Sequence, residues 1–295
     1  MSNNLTQGVD VRSKQYLKIV YTSDLWLHLD FYNSNVSNPL KTEKIVEKYI
    51  LKRETPDILI IAGDISHYNI QTLNICQYLN SKGIKVILVT GNHEFYNVFK
   101  KQKHRYMNLY DKVTELKELL KPLEYTYFLD GNTVTLNGVK FGGAMGWYDA
   151  SYYYKLSQGM YQGTMISHWC NYTNDSKLIP GLNDPMILYN KEIEKIKSVL
   201  NEHPDIMISH VCPISESISF NGKYKMDKSS GYYCFNGLHL IDPTNNIKPP
   251  KFWIHGHIHD PHEFEIYETK HLRNPLGYPK DNPDFKLQYI DTKEL

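Results

Sequence analysis

Asp24 with His28, Asp64, Asn92 with His93, His210, and His257 with His259 are spread along a 295-residue chain. They sit in short segments: Ser23-Asp24, Gly63-Asp64, Gly91-Asn92-His93-Glu94, Ser209-His210 and Gly256-His257-Ile258-His259. Their donors are carboxylate, amide carbonyl and imidazole, with no thiolate. That mixture suits a pair of first-row divalent ions. Two metals held together are a device for attacking phosphate esters. Asp64 has two oxygens and could bridge two cations. Asn92 is a neutral oxygen ligand. His93 beside it could stay unligated, free to pass a proton or steady a substrate oxygen. His257 and His259 are two apart, so on an extended chain both imidazoles share a face. Each residue also has a plain alternative. Either Asp could be a turn or cap residue, Asn92 could occupy a left-handed turn, and His210 could be a satisfied core histidine. The joint pattern argues for a metal centre.

Convergence of these side chains needs several strands ending at one sheet edge. Apolar, β-branched runs predict strands over 16–21, 58–62, 84–89, 205–209 and 252–254. The unbroken run at 58–62 suits a strand covered on both faces. In open α/β sheets, ligands gather at the carboxyl ends of the strands. Helical spacing covers 41–53, 69–81, 104–121 and 186–202. Asp130-Gly131-Asn132 and Asn137-Gly138 mark hairpins within 125–144, the start of a second, more antiparallel sheet. Residues 263–272 and 286–290 are the final predicted strands. The expected organisation is a polar arm over 1–15, then a single domain over 16–295 with an irregular insert near 145–185. A stretch of that length is a lid or binding loop. Its Trp147, Tyr148, Tyr152, Tyr153, Tyr154, Tyr161 and Trp169 could stack on a nucleobase or pack as a second layer.

Hydrophobic residues make up 41% of the chain, enough for a core. Thirty-three Lys and Arg balance 32 Asp and Glu, for a formal charge of +1. This gives no electrostatic footprint for long nucleic acid or an anionic membrane. Cys76, Cys170, Cys212 and Cys234 form no C-x-x-C pair, as expected of idle thiols in a reducing cytosol. The first residues lack a signal-peptide core, and no apolar run approaches a membrane span. The expectation is a soluble, cytoplasmic protein; oligomeric state is not legible.

The set resembles the calcineurin-like metallophosphoesterase superfamily, in its bacterial-type predicted phosphohydrolase branch. Ser23-Asp24-Leu25, Gly91-Asn92-His93-Glu94-Phe95-Tyr96, His255-Gly256-His257-Ile258-His259 and Asn274-Pro275-Leu276-Gly277-Tyr278 carry the resemblance in family order. It spans about residues 17–290. It implies an α/β fold, a four-layer sandwich of two mixed β-sheets flanked by helices. It implies a dinuclear, metal-dependent phosphoester hydrolase using manganese, iron or zinc on a small phosphorylated or nucleotide-like substrate. By the same resemblance, Asp24, Asp64 and His259 hold one metal together with a His of the first motif. Asp64, Asn92, His210 and His257 hold the second, and His93 is the unligated catalytic residue. His255 would support the site from behind.

Two departures stand out. The family's first motif is Asp-x-His, but Trp26 occupies the third position here and the next His is His28. Either His28 reaches the metal past a bulge, or Trp26 takes the ligand's place and the first site is weakened. In the second case the protein could be a scaffold of the same fold. Leu276 stands where the family tends to have Arg. Ile65-Ser66-His67-Tyr68 also replaces the Asp-Arg-Gly of the family's Ser/Thr protein phosphatases, which argues against that branch.

Overall fold

The structure is a computed structural model that describes residues 17–25, 38–52, 55–158, 162–218, 227–245, 247–278 and 280–295. Its first sheet is built from the apolar runs. β1 (Ile19–Thr22), β2 (Ile58–Ala62), β3 (Lys85–Val89) and β4 (Thr126–Phe128) are parallel neighbours. β11 (Gln288–Tyr289) adds an antiparallel edge beside β1. The second sheet comprises β5 (Asn132–Leu136), β6 (Val139–Gly143), β7 (Ile206–Ile208), β8 (Phe252–His255), β9 (His262–Ile266) and β10 (Thr269–Arg273). Its order is β5-β6-β7-β8-β10-β9, parallel through the middle and antiparallel at both edges.

Alternation along the strands explains why the sheets stack. Ile58, Ile60 and Ala62 of β2 pack with Ile206, Ile208, Phe252 and Ile254 of the second sheet. Leu59 and Ile61 face the other way, onto Ile75, Leu79, Leu116 and Leu120 of covering helices. Met207 and Trp253 meet Leu188, Ile196 and Val199 of the helix Met186–Asn201 on the far side. The layers run helix, sheet, sheet, helix, as the family resemblance implied. Each fully buried Ile or Leu contributes about 1.5–3 kcal/mol, so the double-sided burial of β2 makes it the anchor of the site.

Three local expectations differ from the structure. The helix expected over 104–121 is two, Lys100–Arg105 and Asp111–Leu120. Asp111 Oδ2 accepts from the N–H groups of Met107 and Asn108 at 3.0 and 2.8 Å, offering that backbone an alternative to helix. The strand expected over 263–272 is a hairpin, with Tyr267 and Glu268 turning at φ 49° and 63°. The stretch over 145–185 contains three short helices, Ser151–Leu156, Gln162–Tyr172 and Asp175–Leu178. Its Trp147, Tyr148, Tyr153 and Trp169 are buried in the core between that segment and the second sheet. These four therefore pack as a layer and are not open to a nucleobase; Tyr161 lies outside the described residues.

Candidate metal centre

Asp64 follows β2 through Gly63, whose φ is +80°. A Cβ on Gly63 would lie 2.6 Å from the His210 ring, so the close approach demands glycine. Gly91 serves the same end, since its Cβ would meet Asp64 Oδ1. Asp24, Asp64 and His257 also hold positive φ, at 56°, 55° and 69°. Left-handed backbone at non-glycine residues costs energy and concentrates at functional sites. Glu94 ties the loops together. Its buried carboxylate accepts from the backbone N–H groups of Asp64, Ile65, Ser66 and Gly91 at 3.0, 2.8, 3.1 and 2.6 Å.

The donor atoms converge from both sheets. One ligand atom each from Asp64, His210 and His257 lies within 4.8 Å of the others. His210 gives its Nδ1 proton to the Ala62 carbonyl at 2.8 Å, and its Nε2 faces Asn92 Oδ1 and His257 Nδ1, both at 3.1 Å. His257 Nε2 lies 3.2 Å from the Tyr232 carbonyl, which assigns the proton there and leaves Nδ1 a bare lone pair. Asp64 Oδ2 is 3.3 Å from His210 Nε2. Lone pairs aimed at one another over such distances repel unless a cation or a proton lies among them. Beside this group, Asp24 Oδ1 is buried without a hydrogen bond and lies 3.6 Å from His259 Nε2. His259 Nδ1 faces Asp281 Oδ2 at 3.4 Å, a carboxylate backing a candidate ligand histidine. The donor set fits hard or borderline divalent metals.

The carboxylates and histidines of this group shift one another's titration. Burial alone would lower His210, but the Asp64 carboxylate outweighs it and pushes the ring up to about 9. His259 likewise rises to about 9, because Asp24 and Asp281 outweigh its burial. His257 falls to about 3, through burial and then the charge of His210. A metal entering here must displace those protons, so binding depends on pH.

His93 is held apart from this lone-pair cluster. Its backbone N–H donates to Asp64 Oδ1 at 2.9 Å and its ring Nε2 lies 3.7 Å from Asp64 Oδ2. Its Nδ1 is 2.5 Å from His67 Nε2, with the two rings stacked. Burial and the neighbouring histidines hold His93 well below the ordinary range. A cleft of about 240 Å³ opens over Asp64, Asn92, His93, His257 and His259. The exposed Tyr172 and Tyr278 stand in its wall.

A model of the family described as calcineurin-like phosphoesterase matches residues 17–261. The chain belongs to the calcineurin-like phosphoesterase family. An uncharacterized protein of Acanthamoeba polyphaga mimivirus is 24% identical over 254 residues, covering 83% of this chain and 88% of that one. The crystal structure of a phosphopantetheinyl hydrolase from Mycobacterium tuberculosis superposes with a TM-score of 0.68 at 16% identity. That match covers 94% of this chain and 96% of the other, and it bears on fold alone. Proteins of this calcineurin-like family typically bind two metals, and Asp64, His210 and His257 form one group of side chains here that could hold a metal ion.

Of the residues singled out in the sequence, Asp64, Asn92, His210 and His257 come together directly, with Asp24 and His259 paired alongside. His28 and Trp26 lie outside the described residues. His255 stands behind the site, its Nδ1 3.2 Å from Cys212 Sγ. Leu276 is buried against the outer face of the first sheet. The roles of His67, Glu94, Asp175 and Asp281 were not drawn from the sequence. Glu94 had a signal, its place in the Gly-Asn-His-Glu run; Asp281 had none.

Proposed function

We propose that this protein is a metal-dependent phosphoester hydrolase acting on a small phosphorylated or nucleotide-like substrate, as a phosphodiesterase or phosphomonoesterase. The observation that carries it is the inward convergence of lone pairs from Asp64, Asn92, His210 and His257 at the foot of an open cleft. In this reading Asp24, Asp64 and His259 hold one manganese, iron or zinc ion, with His28 as a further candidate ligand. Asp64, Asn92, His210 and His257 hold a second. Such a pair, when bound, supplies an activated water and cancels charge on the phosphoryl oxygens.

The chain's own residues do the rest. Asp64 Oδ2 stands between His210 Nε2 and His93 Nε2, at 3.3 and 3.7 Å, next to both a proposed ligand and the proposed proton donor. His210 and His257 are fixed in one tautomer each by the carbonyls of Ala62 and Tyr232. Glu94 keeps the Asp64 and Gly91 loops in register through four backbone hydrogen bonds. His93 reaches the cleft with its Nε2 and serves as proton donor or hydrogen-bond donor to the leaving oxygen. The cleft walls take the organic part of the substrate.

The test is a screen of the purified, manganese-supplemented protein against chromogenic phosphomonoesters, phosphodiesters and cyclic nucleotides, beside Asp64→Asn. Turnover by the parent and loss of both turnover and manganese in Asp64→Asn are expected. A parent that binds no metal and cleaves none of these would instead be a scaffold of this fold.

A further inference from the structure

Asn92 can serve a metal only if its amide oxygen, not its nitrogen, faces His210. Within its own loop the amide meets the Tyr96 hydroxyl, which can donate or accept and so does not by itself enforce that choice. The enforcement comes from the segment over 145–185. Asp175, at the start of the helix Asp175–Leu178, is buried at 4% exposure beneath the cleft. Its Oδ1 accepts from Asn92 Nδ2 at 2.9 Å. The same nitrogen lies 2.8 Å from the Tyr96 hydroxyl. The amide nitrogen is thereby engaged, and the oxygen is left pointing at His210 Nε2. With two tyrosine hydroxyls also donating to it, the Asp175 carboxyl is the acceptor in this contact, so it fixes which end of the amide turns toward it.

Asp175 is itself held. Tyr96 donates to its Oδ1, and Tyr148 donates to its Oδ2 at 2.7 Å. Trp169 Nε1 donates in turn to the Tyr148 hydroxyl at 2.6 Å. Three donors thus converge on two carboxylate oxygens, and a buried tryptophan locks the last link.

We infer that Asp175 is a positioning residue for the second metal site, acting through the amide of Asn92. The inference rests on the metal-centre reading above. The segment over 145–185 is then part of the site's machinery as well as its wall. Docking of Trp169 and Tyr148 against the second sheet sets the orientation of a ligand carried by the first.

A carboxylate one step behind a metal ligand typically accounts for about 10–100-fold in metal affinity. Asp175→Asn is close to isosteric but offers one acceptor oxygen to three donors and adds an N–H₂ of its own. Manganese binding is measured by calorimetry on the parent, Asp175→Asn, Asn92→Ala and the double variant, with thermal melts as the check on folding. Two bound equivalents are expected in the parent. Asp175→Asn should weaken one of them by about 10–100-fold and leave the other unchanged. Acting through Asn92 predicts non-additivity: Asp175→Asn should add nothing in the Asn92→Ala background. If Asp175→Asn does not fold, Asp175→Ala replaces it in the same cycle. Unchanged affinity for both ions, or a full additive loss in the double variant, overturns the inference while leaving the metal centre intact. A parent that binds no manganese overturns the metal-centre reading, and this inference with it.

Discussion

The imidazole of His93 is aimed by a second imidazole. His67 Nε2 lies 2.5 Å from His93 Nδ1, and burial, with the charge of Lys112, lowers His67 to about 3. A proton on His67 Nε2 in this contact leaves the His93 proton on its own Nε2, the nitrogen nearer Asp64 Oδ2. Proton transfer by a positioned side chain contributes about 10²–10⁴-fold to rate. His93→Ala should lose turnover on that scale while retaining the parent's manganese content, as read by steady-state kinetics and metal analysis. Parental turnover in that variant would remove His93 from the mechanism. At this scale the sequence was informative where residue type limits chemistry. Asp, Asn and His after Gly or Ser marked candidate ligands, and Asp64, Asn92, His210 and His257 of that set come together. Asp175 looked like any other polar residue in an irregular stretch, because its meaning lies in a contact 83 positions away in sequence.

Elements were legible where burial leaves an unbroken mark. The apolar run over 58–62 became β2 with the expected bounds, and 69–81 became the helix Asn69–Ser81. Turns without turn residues were not legible. Asn137-Gly138 joins β5 to β6 with φ of 51° and 84°, and its type was visible in the sequence. The β9–β10 turn has two positive φ values as well, but they fall on Tyr267 and Glu268. A non-glycine residue in that region costs about 1–2 kcal/mol. Tyr267→Asn with Glu268→Gly, the preferred pair for such a hairpin, should raise unfolding stability by about 1 kcal/mol in urea melts. An unchanged or lower midpoint would mean that the flanking strand pairs already offset the strain.

Across the whole molecule, the candidate ligands divide between the layers. Asp24, Asp64 and Asn92 follow strands of the first sheet; His210, His257 and His259 follow strands of the second. A cation held by both sets would join the sheets at one edge. Manganese should therefore raise the melting temperature, by the equivalent of about 2.7 kcal/mol at a hundredfold excess over Kd. EDTA should reverse it, and Asp64→Asn should not respond. Asp130 joins the outer layers in another way. Lys117 and Lys195, on helices covering opposite faces, reach its two oxygens at 2.5 and 2.6 Å. Burial opposes the charged form, but Lys195 and the bonds from both lysines hold the carboxyl below its ordinary range. A depressed carboxyl contributes stability above its unfolded pKa and loses it as pH falls through the folded value. Asp130→Asn should melt lower at neutral pH, and the gap to the parent should close in acid, below about pH 4. Among the described residues, no helix is long and apolar enough to cross a membrane.

The left-handed backbone at Asp24, Asp64 and His257 also limits how this protein can drift. Asn, Asp and Gly adopt that conformation readily, whereas β-branched side chains resist it strongly. Relatives of this fold that hold no metal are expected to carry Asn or Gly at positions 24 and 64, keeping the architecture while losing the charge. Val or Ile there would be purged for misfolding, whatever became of the chemistry.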